Sequence, residues 1–436
     1  MDIKNRARQI LNCSQSLIIY RDLRQLNIWK TMEQLLKDIT STEFSPAQWM
    51  ENYYELLHLL FCDKPAVNDK NLSWGEWVLD KVLHSENPFS ILCEQQKDNI
   101  GAEMSRAIEH DLACIEEIAN IPWKELVSSI AGDGQVYHAF KPLGFESTTA
   151  WDNIVKQNGL EGWDVAALAS HYKRYGTGIF SNYLGFYWNG SRLVGIENVD
   201  PITLDQLVGY DMQKKILMDN TEKFVKGYPA NNVLLYGDKG TGKSSMVKAL
   251  LHEYGDEGLR IIELPKIYIG DYYKVMNKLE DRGFRFILFI DDLSFEEHET
   301  EYKHIKALLE GGLKAKPSNV LVYATSNRRH LIRQMVSDRS SVGFHYNDDG
   351  DISPTDSMQE KLSLSDRFGI TLTFTAPNQK GYLEMVQAIA RNRGLTIEEA
   401  ELKEMALQWE RRFNGRSGRT ARQFIDDLEG RSLKPL

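Results

Sequence analysis

Gly237-Asp238-Lys239-Gly240-Thr241-Gly242-Lys243-Ser244 fits G-x-x-x-x-G-K-[ST], a spacing whose chemistry is the capture of phosphate. Glycines let consecutive backbone N–H groups turn inward around an anion, and a helix beginning at the end of the loop adds partial positive charge. Lys243 is then expected to reach the β- and γ-phosphates of a nucleoside triphosphate. The Ser244 hydroxyl is expected to bind Mg²⁺, with Ser245 completing the loop's contacts. Further on, Asp291-Asp292 closes an apolar run. A carboxylate at the tip of a buried strand, in a chain that already has a phosphate loop, suits a metal ligand, here Asp291. Its neighbour Asp292 suits the polarisation of an attacking water.

These residues require particular elements beneath them. Val233 to Tyr236 is an apolar run suited to a buried parallel strand, and Met246, Val247, Leu250 and Leu251 repeat at helical spacing after the loop. A chance Gly-rich turn would lack that strand–loop–helix setting. Arg260–Leu264, Phe286–Ile290, Val320–Thr325 and Ile370–Phe374 read as further strands, and Lys214–Val225 as an amphipathic helix. After them Tyr382, Met385, Val386 and Ile389 form one helical face ended by Gly394. Thr396-Ile397-Glu398-Glu399 then reads as a capping box opening the next helix.

The first part of the chain has a different character. Ser45-Pro46-Ala47-Gln48 marks a helix start, with Phe44 and Trp49 at staple positions. Eight of nine tryptophans lie before residue 195, which points to an aromatic helical core more than to a partner-binding surface. Asn189-Gly190 between apolar stretches signals a β-hairpin, and Glu197–Pro201 reads as a linker. The expected organisation is therefore a mostly helical domain over 1–196 ending in that hairpin, a nucleotide-binding core over 197–376, and a helical lid over 377–436.

At 436 residues the chain exceeds one ordinary core, and 42% hydrophobic residues with negative mean hydropathy describe a soluble protein. No apolar run approaches the roughly 18 residues of a membrane span, and the N-terminus does not read as a secretory signal. Cys13, Cys62, Cys93 and Cys114 are far apart, which suits buried thiols in a reducing cytoplasm. The net charge of −10 argues against wholesale nucleic-acid binding while leaving room for a local basic groove.

From Leu204 to Gln423 the chain resembles an AAA+ ATPase module. Leu207-Val208-Gly209-Tyr210 is similar to the segment near that family's adenine pocket, and Asn327 matches its sensor 1 residue. Ser365-Asp366-Arg367-Phe368 resembles the motif carrying the arginine finger, which faces a neighbouring subunit. Ser417–Phe424 resembles sensor 2, with Arg422 favoured over Arg419. The stretches NNVLLYGDKGTGKSSMVKALL, FIDDLSFE, YATSNRRHLI and LSLSDRFG closely resemble an uncharacterised bacterial family of AAA+ proteins. The resemblance implies an α/β core with strand order 5-1-4-3-2 and a helical lid, and catalytic roles for Asp292, Asn327, Arg367 and Arg422. It also implies ATP and Mg²⁺ as ligands, a homo-oligomer in the ATP state, and an unknown protein substrate.

Two features depart from the AAA+ pattern. Asp292 stands where Glu is usual, shortening the carboxylate's reach by one methylene. A polar stretch between Asn327 and Arg367, including Ser337–Ser341 and Asn347–Asp351, reads as a mobile loop. Three functions fit this reading. They are an oligomeric ATPase that remodels a protein or complex, which is favoured, a slow nucleotide-gated switch, and a helicase-loader-like protein acting on DNA.

Overall fold

The computed structural model describes residues 3–63, 74–96, 100–131, 155–156, 159–294, 302–310, 316–327, 364–413 and 415–432. The expected mobile loop, with Ser337–Ser341 and Asn347–Asp351, lies outside them. The chain divides into two compact units, Met1–Asn182 and Tyr183–Leu436.

The described part of the first unit is helical. Trp29, Trp49, Trp74, Trp77 and Trp123 are each at most 3% exposed, so these aromatic residues fill the core. Large rings suit this use because indole N–H groups find carbonyls without leaving the interior. Trp49 donates to Leu35 O at 3.0 Å, and Trp74 to Ile118 O at 2.8 Å. The helix Pro46–Asp63 starts as its sequence predicts, Ser45 O accepting from Trp49 N at 3.0 Å. Asp111 is fully buried, and its carboxylate accepts the N–H groups of Ile18, Ile19 and Tyr20. A buried carboxylate with several amide donors is a satisfied structural anchor.

The second unit is built on a seven-stranded sheet: β1 (Gly185–Trp188), β2 (Leu193–Gly195), β3 (Val233–Gly237), β4 (Leu259–Glu263), β5 (Arg285–Ile290), β6 (Val320–Ser326) and β7 (Ile370–Phe374). Its order is β2-β1-β4-β5-β6-β3-β7, and every pairing but β1–β2 is parallel. Counting core strands from β3, the last five positions read 2-3-4-1-5, the expected order in reverse direction. Val233, Leu234, Leu235 and the run Phe286–Ile290 are at most 1% exposed, as strands covered on both faces must be.

The hairpin requires a correction. It was expected to close the N-terminal domain, but β1 instead extends the sheet, Phe186 pairing with Ile262 on the edge of β4. Phe186 and Trp188 are buried there, and the Trp188 indole donates to Asp271 at 3.1 Å. An unpaired β4 edge is what the hairpin covers.

Three helices follow the sheet, Gln379–Asn392, Glu399–Arg412 and Gly418–Ser432, around their own apolar cluster of Tyr382, Val386, Ala406, Ala421 and Ile425. Gly394 terminates the first at φ +70°. The expected capping box does not form. The second helix begins at Glu399 with Glu398 as an N-cap lacking a side-chain bond. Glu399 is thus the first helical residue and not the third, and its carboxylate accepts from Lys403 and Gln387.

Candidate nucleotide-binding site

The site stands at the carboxyl ends of β3, β5 and β6, where ligands of open α/β sheets bind. The helix Lys243–Tyr254 starts at the end of the glycine loop. Gly237, Gly240 and Gly242 have φ of +139°, +76° and +91°. A Cβ on Gly237 would meet the Phe374 carbonyl oxygen at 1.9 Å, so β7 can lie this close only to a glycine.

Lys243 is 6% exposed, and its ammonium donates to Gly237 O at 2.9 Å, Asp238 O at 2.7 Å and Asn327 Oδ1 at 3.1 Å. Burial lowers its pKa, against the opposing fields of Asp238, Asp292 and Asp291. The Ser244 hydroxyl donates to Asp291 Oδ1 at 2.6 Å, and Asn327 Nδ2 donates to Asp292 Oδ1 at 2.6 Å. A loop cation, a hydroxyl, two carboxylates and an amide thus form one connected group, drawn from three separate strand ends.

These residues line a cleft of about 550 Å³ with Lys239, Gly240, Thr241 and Ser245 on the loop side. Leu207, Val208 and Tyr210 form one apolar wall, Met385 and Ile389 of the lid contribute to it, and Arg419 and Arg422 line the cleft as well. The loop touches the lid directly, Arg419 N donating to Gly240 O at 3.1 Å. Tyr210 has φ +59°, and its hydroxyl donates to Thr375 O at 2.7 Å.

Two expected ligand contacts are placed elsewhere. Gly237 backs onto Phe374, and neither it nor Asp238 lines the cleft. The Asp238 amide donates to Phe374 O at 2.8 Å, and its carboxylate accepts from Ala376 N at 2.6 Å. Both residues therefore anchor the loop to the segment that leads into the lid. Arg367 also lies away from the cleft, in the turn Ser365–Arg367 ahead of β7. Ile370 pairs with Val233, at the end of β3 remote from the phosphate loop, so Arg367 sits toward the amino ends of the strands, opposite the end that carries the cleft.

Sequence reasoning missed Thr325, which is 2% exposed and bonded to both Asp291 and Asp292. In the sequence it is only the end of an apolar run. Met385 and Ile389 have the spacing of core positions, and only their place over the cleft shows a second use.

The donor set fits the ligands it implies. A glycine cradle with a buried ammonium suits a polyphosphate, and a hydroxyl beside a carboxylate offers the hard oxygens that Mg²⁺ prefers. Fold and site together define a member of the AAA+ ATPase superfamily. Similarity to known proteins agrees: the chain is 29% identical over 162 residues to the proteasome-activating nucleotidase of Methanosarcina mazei, across 31% of this chain and 38% of that one. It is 43% identical over 61 residues to the replication factor C large subunit of Nanoarchaeum equitans, across 14% of each. Among solved structures, the RuvB Holliday junction branch migration motor of Thermotoga maritima is similar at TM-score 0.33 and 17% identity, covering 53% of this chain and 73% of that one. These two curated relatives are thus matched over less than half of their length. The chain belongs to the family described as Protein of unknown function (DUF815), whose model matches residues 181–432.

Proposed function

We propose that this chain binds ATP with Mg²⁺ in the cleft and hydrolyses it, working as an oligomer that remodels a protein or complex. The observation that supports this most is the convergence of Lys243, Ser244, Asp291, Asp292 and Asn327 in one hydrogen-bonded group beside the glycine loop. Loop amides and Lys243 would hold the phosphates, and Ser244 with Asp291 would hold the metal. Bound Mg²⁺ draws charge from the phosphate oxygens. Asp292 would polarise the attacking water and Asn327 orient it, for in-line displacement at the γ-phosphate. Arg422, or Arg419 beside it, would meet the phosphates from the lid. Arg367, remote from its own cleft, would serve the cleft of a neighbouring copy. The remodelling part draws on likeness to a proteasome-activating nucleotidase.

A slow switch is the second reading, favoured by one observation. The Asp292 carboxylate already accepts the Asn327 amide at 2.6 Å, which leaves less of its charge to polarise a water. Steady-state phosphate release, measured across protein concentrations with Lys243→Ala as the blank, separates the two. Turnover above the blank that rises with assembly supports the first reading. Tight ATP binding without turnover at any concentration selects the switch.

A further inference from the structure

The two carboxylates at the end of β5 are not held by β5 alone. The register of β5 and β6 runs to Ile290 opposite Ala324, and the next residue of β6 is Thr325. Its hydroxyl donates to Asp291 Oδ1 at 2.5 Å and accepts the Asp292 amide at 2.9 Å. Its carbonyl accepts Leu293 N at 2.7 Å. One buried residue thus grips three successive residues of the turn that leaves the strand.

The middle residue of that turn has an uncommon backbone. Asp292 has φ +50°, in the left-handed region that L side chains seldom occupy. Such a conformation persists only where its surroundings over-determine it. Without the Thr325 hydroxyl, the Asp292 amide would keep only a 3.1 Å contact with its neighbour's carboxylate. The left-handed turn carries the short Asp292 side chain to Asn327, while the same hydroxyl orients Asp291 toward Ser244.

We propose that Thr325 is a positioning residue for this site: its hydroxyl sets the left-handed turn at Asp292 and the orientation of Asp291, and so aims both carboxylates. The proposal rests on the ATPase reading for its kinetic consequence. Its structural consequence is independent of that reading.

Valine has threonine's shape without the hydroxyl, which makes Thr325→Val the direct test. In the full-length protein, kcat for ATP should fall at least about thirtyfold while KM stays within about threefold, because the glycine loop and Lys243 are untouched and Asp291 keeps its bond from Ser244. Thr325→Ser, which keeps the hydroxyl, should restore kcat to within about threefold of wild type. A merely structural threonine would lower the melting temperature without splitting kcat from KM, and that result would overturn the proposal. Amide exchange provides the second arm, read without nucleotide. The Asp292 amide should exchange at least about tenfold faster in Thr325→Val and near the wild-type rate in Thr325→Ser. Unchanged exchange in the valine variant, or a serine variant as impaired as valine, would refute it. If the valine protein does not fold, Thr325→Ser against Thr325→Ala carries the same comparison. A wild type that never turns over removes the hydrolysis reading alone, and the exchange measurement still decides the role of Thr325.

Discussion

Removing the Lys243 ammonium has two consequences of opposite sign for the protein without nucleotide. The group is 6% exposed and donates to two loop carbonyls and the Asn327 amide oxygen. Hydrogen bonds from a charged donor are worth about 1.5–3 kcal/mol each, and they are not additive. Against that loss stands the relief of a buried charge, whose cost is visible in the lowered pKa. The net change in stability for Lys243→Ala should therefore stay within about 2 kcal/mol, and the protein should fold. ATP binding has no such compensation, since the phosphates lose a buried cation bonded to the loop's own carbonyls. Affinity should fall at least about tenfold, or about 1.4 kcal/mol. Titration with a fluorescent ATP analogue, alongside urea denaturation of both proteins, measures the two quantities separately. A folded Lys243→Ala protein with wild-type affinity would refute the assignment of the loop as the phosphate site.

Three further outcomes can be checked. Asp292→Asn keeps the side chain's size and should retain ATP and Mg²⁺ while losing about a hundredfold in turnover; equal rates in variant and wild type would mean that Asp292 has another role. Arg367→Ala should bind ATP almost normally and hydrolyse it slowly, and mixing it with Asp292→Asn should recover activity, because one mixed interface pairs an intact Asp292 with an intact Arg367. A strictly monomeric protein with concentration-independent activity would rule that out. In the first unit, burial pushes His171 down to about 4, the nearby His84 adding to the effect and a backbone bond at Leu83 opposing it. Below a pH of about 6.5 the unfolded chain takes up a proton that the folded unit refuses, so stability falls as pH drops toward 4, by on the order of 2 kcal/mol. Thermal melts of His171→Phe should be flatter over that window, and an identical pH slope would show that other groups dominate.

Much of this site was legible because its chemistry is local in sequence. A glycine loop, a lysine and a hydroxyl must be adjacent to cradle phosphate, so their spacing alone carries the meaning. Asp291 and Asn327 are separate in sequence, yet each ends a buried apolar run, and strand ends on one edge of a parallel sheet meet in space. The hairpin was less legible. Its turn was plain in Asn189-Gly190, but which sheet it joins depends on the free edge of β4, which no local pattern records. Thr396-Ile397-Glu398-Glu399 has the composition of a capping box, yet Glu399 found Lys403 one turn along its own helix and Gln387 on the neighbouring one instead.

Asp292 shows most clearly where reading residues runs out. By side-chain length alone, an aspartate at this position falls one methylene short of a glutamate, and slow water activation follows. That argument assumes an ordinary extended backbone at the end of the strand. With φ at +50° the Cα itself is turned, and the carboxylate reaches Asn327 Nδ2 at 2.6 Å. Reach is therefore a property of the turn and its anchors as much as of the side chain. Lengthening the side chain in Asp292→Glu should for the same reason bring no gain, since the added methylene starts from a backbone already turned toward Asn327.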